Sequence, residues 1–314
     1  MPASMLMIAA SFLFATMGVC VKLASEFYSA GEIVMYRGLV GTLMMALWAA
    51  SQGLSLRTRL PAMHLRRSLA GVIALLLWFY AIGKLPLATA MTLNYMSSIW
   101  MALFLIAGHL LLKRNQVDPR LIAAVLLGFA GVALVLHPTF AEQQLAYGLC
   151  GLVSGVLAAT AYLQVSALGQ AGEPEYRIVF YFSMGGAAAG ALGTWASQWH
   201  AATASAAGLH GHTVKGAALL IAVGVLATLA QWMMTRAYGR GKTLVNASLQ
   251  YLGIAFSALY GVLLFHDRLA YSAMLGIALI VMAGLGATLL RSAGNFSKPS
   301  ACSSTTSTLS MISE

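Results

Sequence analysis

With 314 residues, of which 60% are hydrophobic and only 8% are Asp, Glu, Lys or Arg, the chain carries too little charge for a soluble domain, where about 25% is usual. Its net charge of +10 requires no nucleic-acid partner, because basic loops beside anionic lipid account for it. Cys20, Cys150 and Cys302 lie far apart and imply no disulfide framework.

Apolar runs close to the ~20 residues that cross a bilayer predict ten transmembrane helices. They fall at about 4–21, 33–50, 68–83, 87–112, 120–137, 147–167, 178–197, 216–235, 244–265 and 270–290. The first run lacks the basic n-region of a cleaved signal peptide and is read as a span. Most connections are short, so neighbouring spans run antiparallel. The longest, 198–215, holds His200, His210 and His212; a polar loop explains these more simply than a metal site. With the N-terminus inside, 13 of the 18 Lys and Arg residues face the cytoplasm, among them Arg57, Arg59, Arg66 and Arg67, while four face outward and Arg37 falls within a span. This bias predicts an inner (plasma) membrane protein with both termini cytoplasmic. The Ser/Thr-rich segment 293–314 reads as a disordered cytoplasmic tail.

Five spans per half is an odd number, so a duplicated half is inserted upside down, a recurrent construction in secondary transporters. Residues 1–140 form the first five-helix repeat and 141–292 the second, inverted one. Laying 79–104 on 235–260 pairs Tyr95 with Tyr251 and Gly83 with Gly239, and puts Asn94 opposite Gln250. Three segments carry a family resemblance: Glu32-Ile-Val-Met-Tyr-Arg37, Leu85-Pro-Leu-Ala-Thr-Ala-Met-Thr92, and Phe265-His-Asp-Arg-Leu269 followed by Gly276 and Gly284. With these, residues 4–290 resemble the drug/metabolite transporter superfamily in its ten-helix EamA-type form. The resemblance implies an all-α integral membrane carrier of two inverted five-helix repeats around a central cavity. One departure is that Asp267-Arg268 is matched in the first half by Lys113-Arg114, which argues against symmetric roles.

A polar side chain within a span needs water, a partner or cargo. In the fourth span Asn94 and Ser98 flank Tyr95, and in the ninth Asn246 and Gln250 recur at a spacing of four, next to Tyr251. These six are candidate substrate-binding residues, Asn94 and Gln250 foremost. Interhelical bonding is the competing reading, and it is the stronger one for the serines. Tyr80 in the third span, with Gln231 and Trp232 in the eighth, are further candidates for the cavity wall, ahead of Trp78. Arg37 either grips a substrate carboxylate or serves structure by snorkelling outward or pairing with Glu32. The structural role is favoured, because the resemblance implies a basic residue here very broadly. Gly151, Gly155, Gly186 and Gly190 have spacings that permit close helix contact.

All eight acidic residues fall at span ends, in loops or in the tail, which points to facilitated diffusion or exchange rather than tight proton coupling. The sequence has no Walker motif, and no H-E-x-x-H or G-x-S-x-G that would mark an enzyme. No cofactor or metal is implied. The expected cargo is a small polar or amphipathic metabolite, an amino acid or derivative moving outward; the alternative is a nucleoside-type compound such as S-adenosylmethionine moving by import or exchange. A cavity read as neutral favours zwitterions over phosphorylated cargo. Oligomeric state is not encoded legibly.

Overall fold

The computed structural model describes residues 2–111, 142–201, 213–240, 249–266 and 271–282 apart from 273 and 280, together with positions 127, 130, 131, 134 and 246. These residues are helical or in short turns. The helices are α1 (Ala3–Ala24), α2 (Ala30–Ser51), α3 (Pro61–Lys84), α4 (Leu87–Tyr95), α5 (Ser97–Leu111), α6 (Glu142–Gln170), α7 (Glu175–Ala201), α8 (Val214–Arg240) and α9 (Leu252–Phe265). Among the described residues, six (α1, α2, α3, α6, α7 and α8) are long and apolar enough to cross a membrane. The fifth predicted span (apart from positions 127, 130, 131 and 134), Lys113-Arg114, Asp267-Arg268, His210, His212 and the tail lie outside the described residues, as does the side chain of His200.

Local chemistry sets the helix ends. Ser29 and Glu32 form a reciprocal capping box at the start of α2. Pro61 occupies the first turn of α3, where its missing N–H is no loss. The chain leaves α2 through Gly53 at φ +64° and leaves α6 through Gly172 at φ +80°. Both are left-handed positions that glycine takes without strain. The fourth predicted span is broken at Met96 into α4 and α5, and the ninth carries two turn residues, Gln250 and Tyr251, ahead of α9.

Three helix pairs dominate the packing: α2 on α7, α1 on α8 and α3 on α6. The α2–α7 crossing is backbone on backbone. A Cβ at Gly38 would strike the Ala187 amide nitrogen and come within 2.6 Å of the Ser183 carbonyl oxygen, and one at Gly190 would lie 2.7 Å from the Gly31 carbonyl oxygen. Gly155 allows the same close approach of α6 to the Leu93 carbonyl at 2.6 Å, whereas Gly186 meets nothing nearer than 3.9 Å. Outward positions are apolar: Leu39, Leu43 and Leu47 along α2, and Leu65, Leu69 and Ile73 along α3, are all exposed. Inward positions include Asn94, Ser154, Thr228 and Gln231, all buried. This reverses the usual soluble arrangement and fits lipid as the surrounding solvent.

At the end of the bundle where α3 begins, Glu173 ties three segments together. Its Oε1 lies 3.0 Å from His64 Nε2 and accepts from Arg177 Nη1 at 3.2 Å. Arg177 Nη2 also donates to the Ser55 carbonyl at 2.9 Å, and Tyr181 donates to the Leu56 carbonyl at 3.1 Å. Burial raises the Glu173 carboxyl pKa, but hydrogen bonds from His64, Thr58 and Arg177, with the Arg177 charge, outweigh it and hold the group below its ordinary value.

Two outcomes are expected. Gly38→Val lowers stability in detergent by about 1–3 kcal/mol through overpacking, while Gly193→Ala inside α7, whose Cβ meets nothing within 4 Å, leaves the melting temperature equal or higher, because alanine is the better helix former. Glu173→Gln lowers the melting temperature at pH 7. Because the folded-state carboxyl is depressed, its contribution is complete above the unfolded value. The gap between wild type and variant therefore stays constant at neutral pH and closes as pH falls through the ordinary carboxylate range toward the folded value. Thermal melts between pH 7 and pH 3.5 read this directly.

Candidate functional site

Helical periodicity aims one face of α3 inward. Arg67, Gly71, Ala74 and Trp78 line a cavity, while Arg66, Leu65, Leu69 and Ile73 on the opposite face are exposed. The cavity has a volume of about 40 Å³ and is completed by Arg37 of α2, Asn94 of α4, Tyr162 of α6, Phe182 of α7 and Gln231 of α8. Every long helix described contributes to its wall.

The wall carries two guanidiniums. Arg37 is 3% exposed and Arg67 is 2% exposed. Their Cζ atoms lie 5.2 Å and 4.1 Å from the centroid of the Phe182 ring. Nε and Nη1 of both have no hydrogen-bond partner among the described residues, and neither arginine pairs with a described carboxylate. Gly71 makes the room, since a Cβ there would collide with Arg67 Nη1. The cavity is therefore cationic, correcting the expectation of a neutral one. The physical reason is the start of α3. Charge-based boundaries place Arg67 in a loop, but the helix begins at Pro61 and carries Arg67 into the bundle. Arg37 neither snorkels nor pairs with Glu32: Glu32 Oε2 accepts from the Ser29 amide at 2.8 Å and from the Ser29 hydroxyl at 2.9 Å.

Among the residues singled out by sequence, Arg37, Asn94 and Gln231 reach the cavity. Asn94 serves two ends, with Nδ2 donating to Ser154 Oγ at 3.1 Å and Oδ1 left unpartnered. Behind it Tyr95 packs on Gly253 and lies 6.4 Å from the Trp78 ring, centroid to centroid. The Ser98 and Tyr251 hydroxyls hydrogen-bond across α5 and α9. Asn246 Nδ2 donates to the Ala237 carbonyl, an interhelical tie. Gln250 Nε2 sits 3.4 Å from Met234 Sδ with Oε1 unpartnered, buried but outside the cavity wall. Tyr80 is 43% exposed and packs edge-on to Tyr147. Trp232 packs beside Met45 and Tyr176 under the Arg236 guanidinium. Neither lines the cavity, whereas Trp78 does. Sequence reasoning missed Arg67, Tyr162 and Phe182; Pro61 was the available signal for the first, and nothing local marks the other two.

The profile of the EamA-like transporter family matches residues 1–137. The pseudopaline exporter CntI of Pseudomonas aeruginosa is 32% identical over 279 residues, covering 89% of this chain and 93% of that protein. An uncharacterized transporter of Helicobacter pylori is 27% identical, covering 88% and 91%. A crystal structure at 18% identity shares the fold with a TM-score of 0.67, over 92% of this chain and 98% of its own.

Asn94→Ala removes the open carbonyl oxygen but leaves Ser154 bonded to the Gly151 carbonyl at 2.7 Å. Ligand affinity in the cavity should fall about 3–10-fold, the worth of one hydrogen bond, with folded yield unchanged. Gln250→Ala should weaken binding less. Titrating a ligand-induced melting shift in both variants checks this.

Proposed function

The chain belongs to the EamA-like transporter family, a family of membrane transporters rather than enzymes, and from that premise we propose that it exports an amino acid or amino-acid derivative across the inner membrane by alternating access around the cavity. The observation that carries this reading is the likeness to an exporter along nearly the whole of both chains.

The packing supports two inverted repeats, residues 1–140 and 141–292. Exchanging the halves turns the α1–α8 pair into α6–α3 and maps α2–α7 onto itself, so the three dominant contacts form a closed set. The turns at Met96 and at Gln250–Tyr251 fall at matching places in that exchange, as discontinuous helices do in inverted-repeat carriers. A cavity of about 40 Å³ admits a few waters but no metabolite. Passage of cargo thus needs α2, α3, α6, α7 and α8 to separate on one side at a time. On the basic-loop rule, the Glu173 cluster closes the cytoplasmic side.

The test is a thermal-shift screen of the purified protein against amino acids, nucleosides, S-adenosylmethionine, sugars and phosphorylated compounds, followed by counterflow in proteoliposomes. A ligand at 100 times its dissociation constant adds about 2.7 kcal/mol, a readable shift. Amino acids or their derivatives should stabilise the protein and exchange across the vesicle membrane, and a pH gradient alone should not concentrate them. Counterflow confined to nucleosides would overturn the assigned cargo, and no counterflow of any class would overturn the carrier.

A further inference from the structure

We infer that the cavity is a dicarboxylate site, in which Arg37 and Arg67 each pair with one carboxylate of the cargo. This rests on the carrier reading above. Both side chains are almost wholly buried, both line the same cavity, and both leave Nε and Nη1 without a partner among the described residues. The Phe182 ring that both approach attracts cations but carries no charge to neutralise them. The carboxylate nearest Arg37 in sequence, Glu32, is engaged by Ser29. Two like charges held in a low-dielectric wall repel one another, and the Tyr162 hydroxyl is the neighbour they share. A buried charge ordinarily has a partner, so two guanidiniums with no carboxylate beside them among the described residues suit a partner that comes and goes.

Geometry limits the spacing. The two Cζ atoms can be no farther apart than the 5.2 Å and 4.1 Å to the Phe182 centroid laid end to end. Carboxylates separated by a few carbons span that interval. One carboxylate neutralises only one guanidinium, whereas two remove the net charge of the wall. Guanidinium forks match planar carboxylates with paired hydrogen bonds, and the flat Trp78 ring beside them covers the carbon backbone. Asn94 Oδ1, also unpartnered, is positioned to accept from an amine on the same molecule.

The experiment uses the full chain in detergent with glutarate, glutamate, glutamine, inorganic phosphate and sodium chloride at matched ionic strength. Glutarate and glutamate should raise the melting temperature well beyond glutamine or chloride. Arg37→Gln and Arg67→Gln should each weaken that response about 30-fold or more, the effect of truncating one member of a buried charge pair. Without ligand neither variant should melt lower than wild type, because an unpaired buried charge is removed. Arg67→Lys, which keeps charge but loses the fork, should fall between. Equal protection by phosphate would overturn the carboxylate assignment in favour of general anion binding. An unchanged glutarate response in both Gln variants would overturn the site. If counterflow finds a neutral or cationic cargo whose affinity ignores Arg67→Gln, the carrier stands and this inference falls. If glutarate protects through both arginines yet nothing is exchanged across vesicles, the binding site stands and the carrier falls.

Discussion

Hydrocarbon offers no hydrogen bonds, and that deprivation governs this structure. A backbone amide that finds no partner within the chain finds none in lipid, so the described spans are helices. The same constraint decides which face of each helix turns outward. Leu39, Leu43 and Leu47 meet the bilayer, while Asn94, Ser154 and Thr228 turn to other helices. It also limits where a helix is allowed to break. The turn at Met96 is sheltered by Gly155 of α6, and the turn at Tyr251 by the Tyr95–Gly253 contact and the Ser98 hydroxyl. Close glycine contacts therefore protect irregular backbone as well as drawing helices together.

The two arginines are the exception this solvent permits only in the interior. α2 and α3 are antiparallel neighbours, so Arg37 and Arg67 start from opposite ends of the bundle. Each lies about 10 Å inside its own helix terminus at 1.5 Å per residue. They bend toward one ring rather than toward the two surfaces. Arg37 stays inward partly because Glu32, the acid that would draw it out, completes the cap of its own helix. Arg67 stays inward because Gly71, one turn along, leaves the volume its guanidinium fills.

Much of this was legible in the sequence. The membrane class, the positions of the long spans and the family resemblance follow from composition, period and motif. Asn94 and Gln231 were identified as polar residues with no reason to face lipid. The failures have two causes. Boundaries drawn at charges assume that charge stops a span, and Arg67 shows that a span can begin before its charge. Pro61 carried the better signal. Tyr80 and Trp232 were placed on the wall because aromatic residues suit ligands, but which helix face meets which neighbour is a tertiary property that no single span records. Phe182 and Tyr162 look like any aromatic residue in an apolar run until α2, α3 and α6 converge on them.

A membrane carrier must also avoid being a leak, and the cavity wall addresses that need. Two fixed positive charges beside a space for only a few waters form an electrostatic barrier to protons and metal cations, as charged constrictions do in pores that must stay proton-tight. Each elementary charge crossing the membrane potential releases about 2.3 kcal/mol per 100 mV, so even a brief hydrated path would drain the gradient on which the cell depends. In any carrier, a wall of this kind meets an approaching cation with like charge before it offers a path, which is what insulation between transport events requires.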